Sequence, residues 1–401
     1  MSRAAALTTL SLRRAATSYR APLAKASLTS TSTTTTTIPS VSAAAVSRLR
    51  TSHHHLFSTS ATSYNKMKAV IIKDGKGPAD SLYIGEIDTP SPGKNELLVK
   101  NKTFGLNRMD ILQREGKYAV PPQAGPTLGV EFAGTVVQVG EGTSLYKVGD
   151  EVFGLVYGGA YAEYVVAHED MTLPKPKELS WEEAAGVPEN WLTAFQALFI
   201  EGNLKKGDNV LIHAGASGVG VAAIQLALHV GGANQVFATA GSDEKIKFIK
   251  EEVGRGSDKV HATNYKTQDF ETEIKKVTDG VDLIVDFVGK DYFTRNLKLL
   301  RRDGYLIYLA FLSGPVLDGP TNIGPLLAKR LTVRGSTLRS RDLAYQSNLL
   351  HRFKDEALQK VKDGELKVFI HEVFPWTEVV KAHKEMEANK NSGKIVFEIP
   401  Q

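Results

Sequence analysis

The chain has 401 residues, of which 42% are hydrophobic, 23% are charged and none is cysteine. This length predicts about two domains, and the lack of cysteine excludes disulfides, cysteine-ligated zinc, iron–sulfur clusters and a cysteine nucleophile. The formal net charge of +5 favours a nucleic-acid partner only if the positive charge is spread over the folded part of the chain.

The positive charge is concentrated in residues 1–66. This stretch contains eight Lys or Arg, 26 Ser or Thr, 12 Ala and no Asp or Glu. The remaining 41 Lys and Arg and 44 Asp and Glu give residues 67–401 a net charge of −3. An Arg-rich, Ser-rich segment without acids is typical of a mitochondrial transit peptide, which predicts import into the matrix by the import machinery. An unstructured tail without a targeting role is the alternative.

Two further features bear on where the protein resides. No apolar run in residues 1–66 reaches the about 18 residues of a membrane span, so none is predicted there. Met67 begins a strand-like segment, MKAVIIKD. Translation that starts at this methionine would give a cytosolic form, which remains open beside the mitochondrial one.

The segments that follow Met67 are typical of a β-rich domain. MKAVII, ELLVKN and FAGTVVQVG are short, rich in β-branched residues and separated by Gly and Pro. A helix is predicted over SWEEAAGVPENWLTAFQALF, with Ser180 as its N-cap and Glu183 three residues later. These patterns predict a barrel-like first part of a domain over residues 67–190.

The middle of the chain has a different pattern. Over residues 191–339, strands such as NVLIHAG and VDLIVDFVG alternate with helices such as GVGVAAIQLALHV. Such alternation predicts parallel βαβ units in a doubly wound sheet. Because residues 340–401 end in the short strand KIVFEI, we expect an α/β fold whose β-rich domain is split around the parallel sheet.

The segment HAGASGVG lies between a predicted strand and a predicted helix. Its glycines depart from the common G-x-G-x-x-G order, but they still permit a tight turn and a close approach of backbone N–H groups to a pyrophosphate. Close packing of helix and strand is the alternative role for these glycines. The predicted dinucleotide loop consists of Gly215, Ala216, Ser217, Gly218, Val219 and Gly220.

The end of the next predicted strand bears on the choice of dinucleotide. Gly241 and Ser242 stand there, with Lys245 close behind. A small site with a hydroxyl and an ammonium suits a 2′-phosphate, which favours NADPH. Asp243 and Glu244 lie just beyond the strand and keep NAD open, and Lys245 would otherwise be a solvated lysine on a helix face.

Residues 67–401 resemble the zinc-free quinone oxidoreductases, the zeta-crystallin-like group of the medium-chain dehydrogenase/reductase superfamily. The matching segments are GLNRMDILQREGKY, LGVEFAGTVVQVG, PENWLTAFQAL, LIHAGASGVG, TAGSDEK, NYK, LRSRD and AHKEMEANKNSGKIVFEIP. The resemblance implies a GroES-like catalytic domain split around a Rossmann domain that binds NADPH. It also implies a homodimer, in which LTVRGSTL edges of two copies could pair.

The resemblance further implies roles for individual residues. Asn107 and Tyr118 would border the substrate beside the nicotinamide and donate hydrogen bonds to a developing oxyanion. Alternatively, Asn107 satisfies backbone groups and Tyr118 is a wall aromatic. The further cofactor residues that the resemblance implies are Thr193, Ser242, Lys245, Tyr265, Phe287, Gly289, Leu309 and Asn391.

The resemblance also bears on metal and substrate. Zinc-dependent relatives carry Gly-His-Glu where this chain has Gly129-Val130-Glu131, so no catalytic zinc is expected. Hydride transfer from NADPH to a quinone, which needs little activation, fits best. An enoyl thioester or enone is the alternative acceptor. The resemblance also leaves open an RNA-binding or structural role that retains the fold. Nucleic-acid binding is disfavoured by the charge of −3, and the five basic residues from Lys329 to Arg341 are its local candidate.

Overall fold

The computed structural model of the chain describes residues 65–401, so the predicted transit peptide lies almost wholly outside the described residues. The described part contains three β-sheets, with two, six and seven strands. No helix in this part is both long and apolar enough to cross a membrane. The two large sheets correspond to the two kinds of domain that the sequence predicts.

The strands and helices follow one another along the described chain, with the longest connections between Arg114 and Glu131 and between Tyr308 and Gly324. The strands are β1 (Lys66–Ile72), β2 (Leu82–Asp88), β3 (Glu96–Leu106), β4 (Glu131–Val139), β5 (Glu151–Leu155), β6 (Tyr164–His168), β7 (Thr172–Pro174), β8 (Asn209–Ile212), β9 (Gln235–Ala240), β10 (Val260–Asn264), β11 (Val281–Asp286), β12 (Leu300–Tyr308), β13 (Thr332–Gly335), β14 (Ile370–Pro375) and β15 (Lys394–Glu398). The α-helices are α1 (Arg108–Arg114), α2 (Trp181–Gly186), α3 (Pro188–Phe195), α4 (Gly218–His229), α5 (Asp243–Lys247), α6 (Phe270–Lys275), α7 (Lys290–Leu299), α8 (Gly324–Ala328), α9 (Leu343–Phe353), α10 (Gln359–Lys362) and α11 (Val379–Glu387).

The single helix predicted over SWEEAAGVPENWLTAFQALF is two helices in the structure. Ser180 caps α2 by accepting a hydrogen bond from the backbone N–H of Glu183, as predicted. Helix α2 ends at Gly186 and α3 begins at Pro188. Proline has no N–H and restricts the residue before it, so it ends one helix and suits the first position of the next.

The six-stranded sheet is parallel throughout, in the order β10-β9-β8-β11-β12-β13. Strand β8 lies at its centre, and all four of its residues are buried, as expected for a parallel strand covered on both faces. The strand order reverses between β8 and β11. In such sheets ligands bind at this reversal, beyond the carboxyl ends of the strands. The predicted doubly wound sheet is confirmed.

The seven-stranded sheet contains residues from both ends of the described chain. Its order is β14-β15-β3-β4-β5-β7, with β6 also paired to β3. Strand β15, close to the C-terminus, pairs antiparallel with β3, where Ile395 lies opposite Leu106. The β-rich domain is therefore split around the parallel sheet, as the sequence predicts.

One hydrophobic core joins the two large sheets. It includes Phe153 on β5, Phe195 on α3, Ile224 on α4 and Phe353 on α9, all of them buried. Phe195 and Phe353 meet edge to face, with ring centroids 6.1 Å apart. Burial of each such side chain stabilises the fold by about 1.5–3 kcal/mol. This shared core fixes the position of one sheet relative to the other.

A buried polar cluster joins α1 to α11. The Arg114 guanidinium donates to the Gly77 carbonyl at 3.0 Å, pairs with Glu387 at 2.5 Å and lies 3.1 Å from Nδ1 of His383. Nε2 of His383 lies 3.4 Å from the Tyr161 hydroxyl. Burial, together with the charge of Arg114, lowers the pKa of His383 from 6.5 to about 3. The neutral imidazole therefore accepts from Arg114 at Nδ1 and donates to Tyr161 from Nε2.

We expect His383 to make the fold sensitive to acid. Below a pH near 6.5 the unfolded chain takes up a proton at this histidine, whereas the folded chain does not until far lower pH. Unfolding is therefore favoured as the pH falls, and the free energy of unfolding should drop by about 2 kcal/mol between pH 7 and pH 5 from this residue. His383→Gln removes this contribution, and urea unfolding at the two pH values measures it.

The control for this comparison is His351→Gln, at a partly exposed position on α9. It should keep the pH dependence of the wild type. If His383→Gln also loses as much stability as the wild type between pH 7 and pH 5, the buried histidine is not the source of the acid sensitivity.

Candidate active site

The predicted dinucleotide loop connects the carboxyl end of β8 to α4, at the reversal of strand order. Ser217 caps α4, and its hydroxyl accepts a hydrogen bond from the N–H of Gly220 at 3.1 Å. A Cβ atom at Gly220 would lie 2.4 Å from the Ala214 carbonyl oxygen, so only glycine allows this turn. The first N–H groups of α4 have no acceptor within the helix and can bind an anion there.

The other two loop glycines pack against neighbouring elements. A Cβ at Gly215 would lie 2.7 Å from the Cβ of Ala238 on β9, and one at Gly218 would lie 2.1 Å from Oδ1 of Asn190 on α3. Both close-packing and phosphate-binding roles for these glycines are therefore compatible with the geometry.

The segment that leads into β15 lies beside the same loop. The N–H of Gly393 donates to the Ala216 carbonyl at 2.8 Å, and the Asn391 amide donates to the Gly393 carbonyl at 3.0 Å. The structure thus brings the predicted cofactor residue Asn391 next to the loop, although the two are far apart in sequence.

Ser242, Lys245 and Tyr265 lie together at the ends of β9 and β10. Ser242 caps α5, and its hydroxyl accepts a hydrogen bond from the Lys245 N–H at 3.4 Å. Gly241 allows Tyr265 to come close, because a Cβ there would lie 2.7 Å from the tyrosine hydroxyl. Asp243 is engaged elsewhere, since its carboxylate accepts a hydrogen bond from Asn264 at 2.7 Å.

Two further cations, which the sequence analysis did not predict, lie near Lys245. Burial first, and then the charges of Arg108 and Lys266, lower the pKa of Lys245. Arg108 is tied to the same segment as Lys245, because it donates to Oδ1 of Asn389 at 2.6 Å while Lys245 donates to the Asn389 carbonyl at 2.7 Å. Lys266 adjoins Tyr265 in the NYK segment, a local signal, whereas Arg108 comes from the other domain.

Asn107 is buried where β3 ends and α1 begins, and other side chains hold its amide. Its Oδ1 accepts hydrogen bonds from Lys394 at 2.7 Å and from Asn190 at 3.1 Å. Its Nδ2 donates to Glu131 at 2.7 Å. Its partners come from β4, α3 and β15, so Asn107 links the two parts of the split β-rich domain.

A buried ion pair occupies the position where zinc-dependent relatives carry Gly-His-Glu. Glu131 and Lys394 are both buried, with carboxylate and ammonium 2.5 Å apart. The second carboxylate oxygen accepts the N–H of Glu189 at 2.7 Å, and the ammonium also donates to the Leu106 carbonyl at 3.0 Å. With Val130 apolar and an ammonium at the centre, this donor set does not fit a zinc ion. Nor does any other group of three His, Asp or Glu within residues 65–401 offer a metal site.

Glu189 and Tyr118 are partly exposed. The charge of Glu189 acts on Tyr118, and Asp110 and Arg339 act on both, so these side chains lie near one another in a region that we call the cleft. Burial of its carboxyl, together with the charge of Glu131, raises the pKa of Glu189 to about 7. The Thr193 hydroxyl donates to this carboxyl at 3.4 Å, which places a predicted cofactor residue beside it. Burial also raises the pKa of Tyr118, so its hydroxyl keeps its proton at neutral pH.

Phe287, Gly289 and Leu309 follow the ends of β11 and β12, at the same edge of the parallel sheet as the loop. Asp286 fixes this turn, because its carboxylate accepts the N–H groups of Val288 at 2.5 Å and Gly289 at 3.2 Å. The Leu309 N–H donates to the Asp286 carbonyl at 2.9 Å. The glycine loop and the predicted residues that follow β9, β10, β11 and β12 therefore lie at one edge of the sheet.

The basic run from Lys329 to Arg341 does not form one positive strip. Its five side chains bind different parts of the protein: Lys329 the carbonyls of Leu297, Lys298 and Leu300; Arg330 the carboxylate of Asp303; Arg334 and Arg341 that of Glu201; and Arg339 the Tyr157 carbonyl and Gln113. Each of these basic side chains therefore has a structural contact within the protein.

Comparisons with known proteins agree with this architecture. Residues 93–177 match the family described as "Alcohol dehydrogenase GroES-like domain", and residues 218–355 match "Zinc-binding dehydrogenase". The synaptic vesicle membrane protein VAT-1 homolog of Rattus norvegicus is 32% identical over 323 residues, which cover 77% of this chain and 78% of that protein. The chain belongs to the medium-chain dehydrogenase/reductase superfamily. The resemblance predicted from the motifs is thereby confirmed.

Two solved structures of oxidoreductases are similar to this chain over most of its length. The quinone oxidoreductase from Coxiella burnetii is 30% identical with a TM-score of 0.68, and the match covers 84% of this chain and 100% of that one. The CurK enoyl reductase is 29% identical with a TM-score of 0.70, and the match covers 84% and 100%. This superfamily membership makes the protein an oxidoreductase, and its doubly wound sheet is expected to bind a pyridine nucleotide.

Proposed function

We propose that the protein is an NADPH-dependent quinone oxidoreductase that works without a metal ion. The observation that carries this proposal is the group of three cations around Ser242 and Tyr265. Arg108, Lys245 and Lys266 form no ion pair in the part of the chain that the structure describes. Burial lowers the pKa of Arg108, while the nearby carboxylates of Glu387 and Glu115 raise it. By contrast, burial and the positive charges of Arg108 and Lys266 lower the pKa of Lys245. Cations outside ion pairs suit a phosphate, and a 2′-phosphate distinguishes NADPH from NADH.

The acids at the same place do not remove this preference. Asp243 is bound to Asn264, and Glu244 is stabilised by the N-terminal end of α5, where hydrogen bonds to the backbone and to Ser242 lower its pKa. Neither forms an ion pair with Lys245 within the described residues, so the charge of Lys245 remains available to a 2′-phosphate.

The acceptor end of the cleft offers groups that suit a quinone. NADPH supplies the hydride, and the protein has to orient the acceptor and stabilise the charge that develops on its oxygen. Tyr118 retains a hydroxyl donor at neutral pH, and Glu189 holds a proton up to a pH of about 7. We assign Tyr118 to hydrogen bonding with the acceptor and Glu189 to the supply of the proton that completes a hydroquinone.

Reduction of an activated C=C bond, in an enoyl thioester or enone, is the second candidate function. The structural match to the CurK enoyl reductase supports it. The same hydride donor and the same cleft would serve this reaction, so the acceptor alone separates the two candidates.

Turnover of a panel of acceptors tests the proposed function. We expect the protein to oxidise NADPH with ortho- or para-quinones, measured by the loss of absorbance of the reduced nicotinamide, and to turn over enoyl-CoA substrates far more slowly. EDTA should leave the quinone rate unchanged, because no metal-binding group is proposed. Faster turnover of enoyl-CoA would favour the second candidate, and no turnover of any quinone would refute the first.

Lys245→Ala tests the assignment of the 2′-phosphate. Loss of a charge-assisted hydrogen bond of about 1.5–3 kcal/mol should raise the KM for NADPH about tenfold or more. The KM for NADH should not change, because NADH has no 2′-phosphate. Steady-state kinetics with both cofactors measures the difference.

Lys247→Ala is the matched control, since Lys247 is exposed on the same helix and near Glu251. It should behave as the wild type with both cofactors. If the wild type uses NADH as well as NADPH, the assignment of the 2′-phosphate is wrong whatever the variants do.

We also propose that two copies pair through β13, which is the outer strand of the six-stranded sheet. Val333 on this strand is 38% exposed, and Leu327 on the adjoining α8 is 86% exposed. An exposed edge strand with apolar neighbours is a template for pairing with a second copy. The paired edges would join the two parallel sheets into one.

Light scattering during gel filtration tests this pairing. The wild type should be a dimer, and the double variant Val333→Lys with Leu327→Lys should be a monomer, because lysines on an edge strand oppose pairing. Val373→Lys is the control, since Val373 is equally exposed but lies on β14, the outer strand of the other sheet. A dimer that survives the double variant would place the interface elsewhere.

A further inference from the structure

Arg339 is a buried cation with one nitrogen that the protein does not use. The side chain is 2% exposed. Its Nε donates to the Tyr157 carbonyl at 2.6 Å, and its Nη1 donates to Oε1 of Gln113 at 2.7 Å. Nη2 is also buried but has no hydrogen-bond partner among the described residues. A buried donor left without a partner is costly, most of all on a charged group.

The charge of Arg339 also has no carboxylate paired with it. The guanidinium forms no ion pair within residues 65–401, and the nearby acids whose pKa it lowers are Asp110 and Glu189. Burial outweighs this effect and raises the pKa of Asp110 to about 6 and that of Glu189 to about 7. Both carboxyls therefore bind protons far more readily than ordinary acids, and they compensate the guanidinium only in part near neutral pH.

The space beside Nη2 suits a small polar group of a ligand. Arg339 follows β13 by four residues, at the edge of the sheet where ligands bind. The Tyr118 ring lies on one side, with its centroid 5.5 Å from the guanidinium carbon. Its hydroxyl is close enough to the guanidinium for Arg339 to lower the pKa of Tyr118, against the larger effect of burial. Gly158 lies close to Nη2, and a Cβ atom there would be 3.3 Å from this nitrogen. The same Cβ would be 3.2 Å from the Thr127 carbonyl oxygen and 3.4 Å from the Cβ of Ala124, so the glycine leaves room for only a small group beside Nη2.

We propose that Nη2 of Arg339 binds the acceptor oxygen on which negative charge develops, which makes Arg339 a catalytic residue and selects acceptors that become oxyanions. This inference rests on the proposed function. Hydride transfer reduces the quinone to the hydroquinone monoanion and oxidises NADPH to NADP⁺. The electron pair displaced from the C=O bond comes to rest on the oxygen at Nη2. A proton, assigned above to Glu189, then gives the neutral hydroquinone.

Two variants test the role of Arg339 by different means. Arg339→Met removes the donor, and Gly158→Ala leaves the arginine in place but fills the space beside Nη2. Each should lower kcat for a para-quinone, by about 100-fold or more for Arg339→Met, and leave the KM for NADPH unchanged. Arg352→Met, on the exposed face of α9 where it pairs with Glu356, is the control and should keep the wild-type rate.

A binding measurement separates charge recognition from a purely structural role. 4-Nitrophenolate serves as a stable oxyanion and 4-nitroanisole as its neutral counterpart, and each is titrated calorimetrically into the protein with NADP⁺ present. The wild type should bind the phenolate at least about tenfold more tightly than the anisole, as expected for a charge-assisted hydrogen bond. In Arg339→Met and Gly158→Ala this preference should vanish.

The outcomes distinguish this inference from the proposed function. If the wild type reduces no quinone but prefers the phenolate through Arg339, the oxyanion site stands and the quinone activity fails. If quinone turnover is found and both variants keep the wild-type kcat and phenolate preference, the inference is overturned. If Arg339→Met does not fold, Gly158→Ala alone decides, because it adds one methyl group at a backbone position without positive φ.

Discussion

The buried ion pair between Glu131 and Lys394 holds the two halves of the β-rich domain together. Glu131 begins β4 and Lys394 begins β15, so the pair joins an early strand to one close to the C-terminus. Such a pair is tolerated in a dry interior only when further hydrogen bonds satisfy both charges. Asn107, the Leu106 carbonyl and the Glu189 N–H supply them. Loss of either charged partner would leave a buried charge, at a cost of about 3–5 kcal/mol.

The same pair sets the position of the cofactor loop relative to the acceptor end of the cleft. From Lys394 the contacts run through Asn107 to Asn190, and Asn190 fills the space left by the missing side chain of Gly218. The residue before Lys394, Gly393, is bonded to the loop carbonyl of Ala216. The ammonium of Lys394 therefore organises this region through neutral amides, which can be buried at little cost once they are paired.

The sequence predicts those features that depend on short stretches of chain. The apolar run of β8 followed by the glycine loop fixes a strand, a turn and a helix within a few residues, and the strand order follows from repeated βαβ units. Arg108, Glu189 and Arg339 were not predicted as site residues, because each acquires its role from partners in distant segments. Burial and proximity between domains decide the charge of Glu189 and the unused donor of Arg339, and neither has a local pattern.

The distribution of paired and unpaired cations gives the cleft its chemical character. Residues 67–401 carry a net charge of −3. Some of their cations are paired with acids; Arg334 and Arg341, for example, both bind the carboxylate of Glu201. Arg108, Lys245 and Arg339 lie at least partly buried, and no ion pair within residues 65–401 includes any of them. Desolvated cations attract anions more strongly than solvated ones, because the surrounding medium screens them less. The proposed 2′-phosphate site and the proposed oxyanion site therefore both rest on partly or fully buried cations in a mildly acidic protein.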